Sequence, residues 1–225
     1  MNFDTKYWFL HNHQLFDILS SDDLREICFV SSFKTARKGE MIYFAHDETS
    51  RLYTIKKGTI KIVETDEKGN EIVKDILQKG DLFGQLSYSE NGQNQNEHAV
   101  VVSDSFTCCS FQLHEFEKLL EQKAGLAIKY TKWVGFRLKK IENRYQNLMF
   151  RDVKARLIVF LKEWTEKDGK VEGNTIILKN YLTHQDIASL ICSTRQTVTQ
   201  LFNELRDKGC IDYSRTEIVV HNLNQ

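Results

Sequence analysis

The sequence predicts an α+β chain in three parts: an N-terminal β jelly roll over residues 1–121, a long helix and hinge over 122–150, and a C-terminal winged helix-turn-helix over 151–225. Three changes of texture carry this. Short apolar strands broken by glycine turns run from Lys34 to about Phe111. Apolar residues then recur at spacings of three and four from Ala124 to Leu148. Two short capped helices and a hairpin pattern close the chain.

In chain order, residues 13–32 read as short helices, with Ser20 to Asp23 offering N-caps before Leu24, Ile27 and Cys28. Met41–Phe44, Leu52–Ile55, Thr59–Val63, Ile72–Val73 and Val100–Val102 read as strands. Glu67-Lys68-Gly69-Asn70 is a hairpin signal between two of them. Several short strands at near-regular spacing indicate a jelly roll or sandwich. From Ala124 the apolar positions are Ala127, Thr131, Val134, Leu138, Ile141, Tyr145 and Leu148, an a/d seam with basic flanks. A seam of this length predicts a helix that pairs with a second copy of itself; the alternative is one long amphipathic helix lying on its own barrel.

Asp152 can cap the next helix, whose apolar positions are Val153, Leu157, Ile158, Phe160, Leu161 and Trp164 and which ends at Lys167-Asp168-Gly169. A short strand, Thr175–Leu178, precedes the helical hairpin. There Thr183 caps the first helix, with Asp186 in its first turn, and Ser193 or Thr194 caps the second. Ile187, Ile191, Val198 and Leu201 would form the face between them, and Ala188 allows close approach. The outer face of the second helix shows Arg195, Gln196, Thr199, Gln200 and Asn203, side chains able to bond base edges or phosphates. Ile211 and Ile218-Val219-Val220 flank a polar turn with Ser214 and Arg215, which reads as a wing.

Composition limits the function classes. The chain has 225 residues, 41% hydrophobic and 28% charged, so it is an ordinary globular protein. No apolar run approaches the roughly 18 residues that span a bilayer, and the start lacks a signal pattern. Five cysteines (Cys28, Cys108, Cys109, Cys192, Cys210) without CxxC spacing suit reduced thiols in a cytoplasm. The absence of proline has no functional account. Net charge is zero, but residues 1–121 hold 13 basic against 20 acidic groups, residues 122–150 hold 7 against 1, and residues 151–225 hold 11 against 10. Zero net charge therefore neither requires nor excludes a nucleic-acid partner.

The stretch from Asn147 onward resembles the DNA-binding domain of the Crp/Fnr superfamily of transcription regulators. The resemblance rests on Asn147-Leu148, Phe150, Asp152-Val153 and Arg156-Leu157; on Leu182-Thr183, Gln185-Asp186-Ile187-Ala188, Arg195 and Thr197-Val198; and on Leu205, Gly209 and Ile211. Lys38-Gly39-Glu40, Tyr53, Ile55, Gly58, Ile60-Lys61 and Gly80-Asp81-Leu82-Phe83-Gly84 resemble the family's cyclic-nucleotide-binding-like sensor domain. Nearly the whole chain is covered. The resemblance implies a homodimer that binds double-stranded DNA at an inverted repeat and engages RNA polymerase, with Thr183, Ser193, Thr194, Arg195, Gln196, Thr199, Gln200, Asn203 and Arg215 at the DNA. Binding to the barrel or the seam would bias the placement of the recognition helices through the hinge at Phe150 to Asp152.

Two departures concern the reading module. Where the family often has glycine in the turn, this chain has Cys192; a left-handed backbone there would cost on the order of 1 kcal/mol. Where well-known members present Arg, Glu and Arg, this chain has Arg195, Gln196 and Gln200. Arginine suits guanine and glutamine suits adenine, so the half-site is expected to shift toward A·T pairs around a retained guanine contact.

The sensor domain departs further. The family's nucleotide binders hold ribose with Gly-Glu, the phosphate with Arg-Ser or Arg-Thr before an Ala, and the base with Thr-Ser. This chain has Gly84-Gln85, Glu97-His98 before Ala99, and Ile141-Glu142. A glutamate repels an anion and Ile141 donates no hydrogen bond, which argues against cyclic AMP. No cofactor is expected and the effector is unassigned. An iron–sulfur cluster needs four thiolates, and Cys28 stands alone near the start. Cys108 and Cys109 alternate across a strand and cannot share a ligand. His11, His13, His46, His98 and His114 are single histidines that define no haem site, and Phe44, Tyr53 and Phe83 read as core.

An enzyme reading would need a cupin-type metal site, but His11-Asn12-His13 precedes the strands and lacks the further ligands. GxSxG, P-loop and HExxH motifs do not occur. No metal site is expected. A rival reading is a dimeric scaffold that uses its barrel for a small ligand or protein; its docking helix would carry an apolar stripe where Arg195, Gln196, Thr199 and Gln200 stand.

Overall fold

The computed structural model describes residues 3–44, 50–84 and 96–223. Gln85 and His46 lie outside the described residues, as does the side chain of Phe44. The chain divides into two units, Met1–Lys139 and Lys140–Gln225.

The first unit opens with α1 (Phe3–His11) and α2 (Ser21–Val30). Ser20 caps α2 through a capping box with Asp23, as the polar run before Leu24 predicts. Helix α1 begins ahead of the expected helical stretch. Its apolar residues, Tyr7-Trp8-Phe9-Leu10, are contiguous and so mask the helical period, although Leu10 is fully buried. Eight strands follow: β1 (Ser32–Arg37), β2 (Met41–Phe44), β3 (Arg51–Lys57), β4 (Ile60–Thr65), β5 (Glu71–Leu77), β6 (Leu82–Gly84), β7 (Glu97–Val101) and β8 (Ser105–Gln112). They form two antiparallel sheets, ordered β1-β8-β3-β6 and β2-β7-β4-β5. The β4–β5 hairpin turns where the sequence signals it. Gly69 takes φ +82°, and Asp66 Oδ1 accepts from the amides of Lys68 and Asn70, each at 2.8 Å.

Two cores share the first sheet. One, between the sheets, joins Tyr53, Ile55, Phe83, Phe106 and Cys108 to Ile60, Ile62, Ala99 and Val101. The other packs Leu52, Leu82, Cys109 and Phe111 against helical Leu10, Phe16, Leu24, Ile27, Phe116 and Leu126. Strand alternation sends neighbouring residues to opposite cores, so Cys108 and Cys109 face different environments. Burial pushes their thiols up to about 12 and about 11. After α3 (Leu113–Gln122), which pattern reading left unmarked, α4 runs from Ala124 to Phe150. The unit boundary falls within α4.

The second unit contains the end of α4, then α5 (Val153–Asp168), β9 (Lys170–Glu172), β10 (Thr175–Lys179), α6 (His184–Leu190), α7 (Arg195–Asp207), β11 (Ile211–Tyr213) and β12 (Glu217–Val220). Asp152 caps α5, its carboxylate accepting from the amide of Ala155 at 2.7 Å. Leu157, Leu161 and Trp164 form its buried face. The expected hairpin wing is present, but as half of a four-stranded antiparallel sheet, β11-β12-β10-β9. Three-residue β9, exposed throughout, carries too little pattern to read from sequence.

Candidate nucleic-acid interface

The helical hairpin is fixed at three points. Thr183 and Asp186 form a reciprocal capping box: Asp186 N donates to Thr183 Oγ1 at 3.1 Å, and Thr183 N to Asp186 Oδ2 at 2.9 Å. Thr194, not Ser193, caps α7, accepting from Thr197 N at 3.1 Å. Between them, Cys192 takes φ +50°, the one positive φ on a non-glycine among the described residues. The left-handed residue expected from the missing glycine is therefore real. Arg156 holds the turn from below, donating Nε to the carbonyl of Ile191 at 2.9 Å and Nη2 to that of Cys192 at 3.2 Å. Its Nη1 reaches the Arg151 carbonyl at 2.9 Å, which ties the start of α5 to the same turn.

Helix α7 has two faces. Val198, Phe202 and Leu205 are buried, whereas Arg195, Gln196 and Gln200 are exposed near its N-terminus. The half-buried Thr199 is held inward: its hydroxyl lies 2.8 Å from His184 Nδ1 and donates to the Arg195 carbonyl at 2.9 Å. Asn203 Oδ1 accepts from Tyr213 Oη at 2.9 Å, bracing α7 against the wing. Ser193 is half-buried. Arg215 is exposed at the wing tip, in a turn closed by Ser214 Oγ accepting from the amides of Thr216 and Glu217 at 3.2 and 3.1 Å. Burial and the neighbouring Arg195 charge hold His184 below the usual histidine range.

On α4 the seam residues form an exposed apolar stripe. Val134, Leu138, Ile141, Tyr145 and Leu148 are 38 to 65% exposed, Thr131 is exposed, and Ala127 is half-buried. An exposed apolar stripe of this length is the kind of surface that marks an interaction site.

Of the positions aligned with a nucleotide pocket, Gly84 keeps the family's glycine, whereas Glu97, His98, Ile141 and Glu142 depart from the family pattern. Gly84 takes φ +113°, and a Cβ there would strike the Arg51 carbonyl, so only glycine fits. Lys74 ion-pairs with Glu97 at 2.8 Å and Glu64 at 2.9 Å. Burial opposes the charge on Lys74, but the two carboxylates outweigh it and hold the ammonium above its usual range. His98, next along β7, is buried. Ile141 and Glu142 are exposed on α4. Sequence reasoning missed Arg137, whose guanidinium donates to Asp75 Oδ2 and the Leu82 carbonyl, both at 3.2 Å, and lies over Trp133. A lone arginine on a helix carries no pattern; only the contact with Asp75 marks it.

Residues 33–123 match the cyclic nucleotide-binding domain model and residues 155–225 the Crp-like helix-turn-helix domain model. The chain is 30% identical over 190 residues to the global nitrogen regulator of Nostoc sp., covering 84% of each. It is 25% identical to the anaerobic regulatory protein of Bacillus subtilis, covering 91% of this chain and 86% of that one. Among solved structures, a CooA mutant from Carboxydothermus hydrogenoformans superposes with TM-score 0.73 at 20% identity, over 95% of this chain and 94% of that one. FixK2 from Bradyrhizobium japonicum gives TM-score 0.72 at 19% identity, over 86% and 94%. Both similarities concern the fold.

Proposed function

We propose that this chain, which belongs to the Crp/Fnr family of DNA-binding transcription regulators, acts as a cytoplasmic homodimer on an inverted-repeat operator. The observation that carries this is the exposed trio Arg195, Gln196 and Gln200 on the first turns of a helix whose opposite face is buried. A helix so anchored offers donors and acceptors to a major groove while its own packing stays intact. The apolar stripe on α4 supports pairing with a second copy, which would set two recognition helices about one DNA turn apart, roughly 34 Å. Arg195 reads guanine, and Gln196 and Gln200 favour adenine. Thr183, Ser193, Thr194 and Arg215 serve as backbone contacts, and RNA polymerase is the expected downstream partner.

Cyclic AMP is not the effector in this reading, because Glu97 stands where a cyclic phosphate would need a cation. No helix among the described residues is long and apolar enough to cross a membrane. The test is selection of DNA from a random pool by the purified full-length protein, followed by titration of the winning site with and without cyclic AMP at fixed salt. An inverted repeat bound equally in both conditions is expected. Enrichment only with the nucleotide would overturn the effector reading, and no enrichment under either condition would overturn the DNA reading.

A further inference from the structure

The jelly-roll unit holds a pair of cations that DNA reading does not use. On the first sheet Ser32 of β1 pairs with Ser110 of β8, which pairs with Tyr53 of β3. Alternation places all three on the face that carries Ile55 and Cys108, the face turned toward the second sheet. Arg51, two residues before Tyr53, shares that face. Its Nη2 donates to Ser110 Oγ at 3.0 Å and Ser32 Oγ at 3.2 Å, while its Nε is buried with no acceptor. Lys34, two residues after Ser32, sets its Nζ 3.4 Å from Tyr53 Oη and 5.2 Å from that ring's centroid. Among the described residues no carboxylate pairs with either cation.

Neutral hydroxyls orient a guanidinium but do not offset its charge, and a buried N–H without an acceptor forfeits a hydrogen bond. A carboxylate or phosphate supplies both missing elements: an oxygen for Arg51 Nε and a negative charge shared with Lys34. Ser32 and Lys34 are exposed on edge strand β1, so the cluster is reachable from solvent. Elsewhere in the same unit Lys74 is matched by Glu97 and Glu64, and Arg137 by Asp75. We propose that Arg51 and Lys34, braced by Ser32, Ser110 and Tyr53, bind a small organic anion presenting a carboxylate or phosphate. The site lies on β1, β3 and β8, whereas Glu97, at the position aligned with the family's phosphate contact, lies on β7 of the other sheet. It stands apart from the DNA-binding reading and is tested without DNA.

The experiment is calorimetric titration of the full-length protein with succinate in one arm and inorganic phosphate in the other, at constant ionic strength. Saturable binding in at least one arm is expected, and the arm that binds identifies the anion class. Arg51→Gln and Lys34→Gln should each weaken it about tenfold or more, and Lys57→Gln, at the exposed end of β3, should leave it unchanged. Lys34→Gln alters an exposed side chain and keeps the test readable if Arg51→Gln fails to fold. Absence of saturable binding in both arms, or affinities unchanged by Lys34→Gln and Arg51→Gln, would overturn the proposal.

Discussion

Arg156 on α5 donates a hydrogen bond from Nη2 to the carbonyl of Cys192 at 3.2 Å. A single arginine thereby secures the residue that carries the turn's left-handed backbone. The arrangement offsets locally what glycine would remove at the source. Cys192→Gly should stabilise the protein by about 1 kcal/mol. Arg156→Ala should cost about 1–3 kcal/mol, because two turn carbonyls and that of Arg151 lose a charged donor. Thermal unfolding of the two variants checks both; a Cys192→Gly variant less stable than the parent would show that the thiol has another role.

Base reading and phosphate contact leave different signatures. Arg195→Ala should weaken binding by about 1–3 kcal/mol and relax preference at one guanine position of each half-site. Arg215→Ala, at the wing tip, should weaken all sequences alike and flatten the salt dependence. Competition binding on a panel of single-base operator variants separates the two. An Arg195→Ala loss equal across the panel would remove it from base readout.

Leu138 and Ile141 are 65% and 60% exposed on α4. Charge on that stripe is harmless to a lone helix and incompatible with an apolar seam. Leu138→Glu and Ile141→Glu should therefore give folded monomers by sedimentation velocity, with helical circular dichroism retained and operator affinity reduced. A dimer surviving both substitutions would place the interface elsewhere.

His13 sets an acid limit on the first unit. It is buried; its Nδ1 accepts from Leu15 N at 3.2 Å, and its Nε2 lies 2.8 Å from Thr54 Oγ1. Burial lowers its pKa to about 4. The unfolded chain takes up this proton near pH 6.5 and the folded one only near 4, so the folded state is favoured above 6.5 and loses ground as pH falls between those values. The loss amounts to about 3 kcal/mol. Urea unfolding at neutral pH and near pH 4.5 should show it, and His13→Gln should flatten the slope. A slope unchanged by His13→Gln would assign the acid sensitivity to other groups.

The main architecture was legible because its signals are local. Asp152, Thr183 and Thr194 announce their helices by capping chemistry, Gly69 announces its hairpin, and the spacing from Ala127 to Leu148 announces α4. Elements without a local signature were not. Helix α1 hides behind a contiguous apolar run, and β9 owes its strand form to pairing with β10. In the helical hairpin the sequence exposes residue types but not their intramolecular partners: Thr199 lies 2.8 Å from His184 Nδ1 and Asn203 Oδ1 accepts from Tyr213 Oη at 2.9 Å. The Arg51 and Lys34 cluster has no local signature either, since residues 17 positions apart are brought to one face of a sheet only by strand order.

The inward ties of Thr199 and Asn203 have a consequence for how this regulator can diverge. The residues that join α7 to α6 and to the wing are distinct from the three that face outward. On the proposed reading, exchanging Arg195, Gln196 or Gln200 would change operator preference while the buried face of α7 stays as it is. Change at Thr199 or Asn203 would instead disturb the angle at which the helix is presented. Divergent copies of such a gene would on this reading change operator preference through exposed positions, where substitutions usually cost little stability.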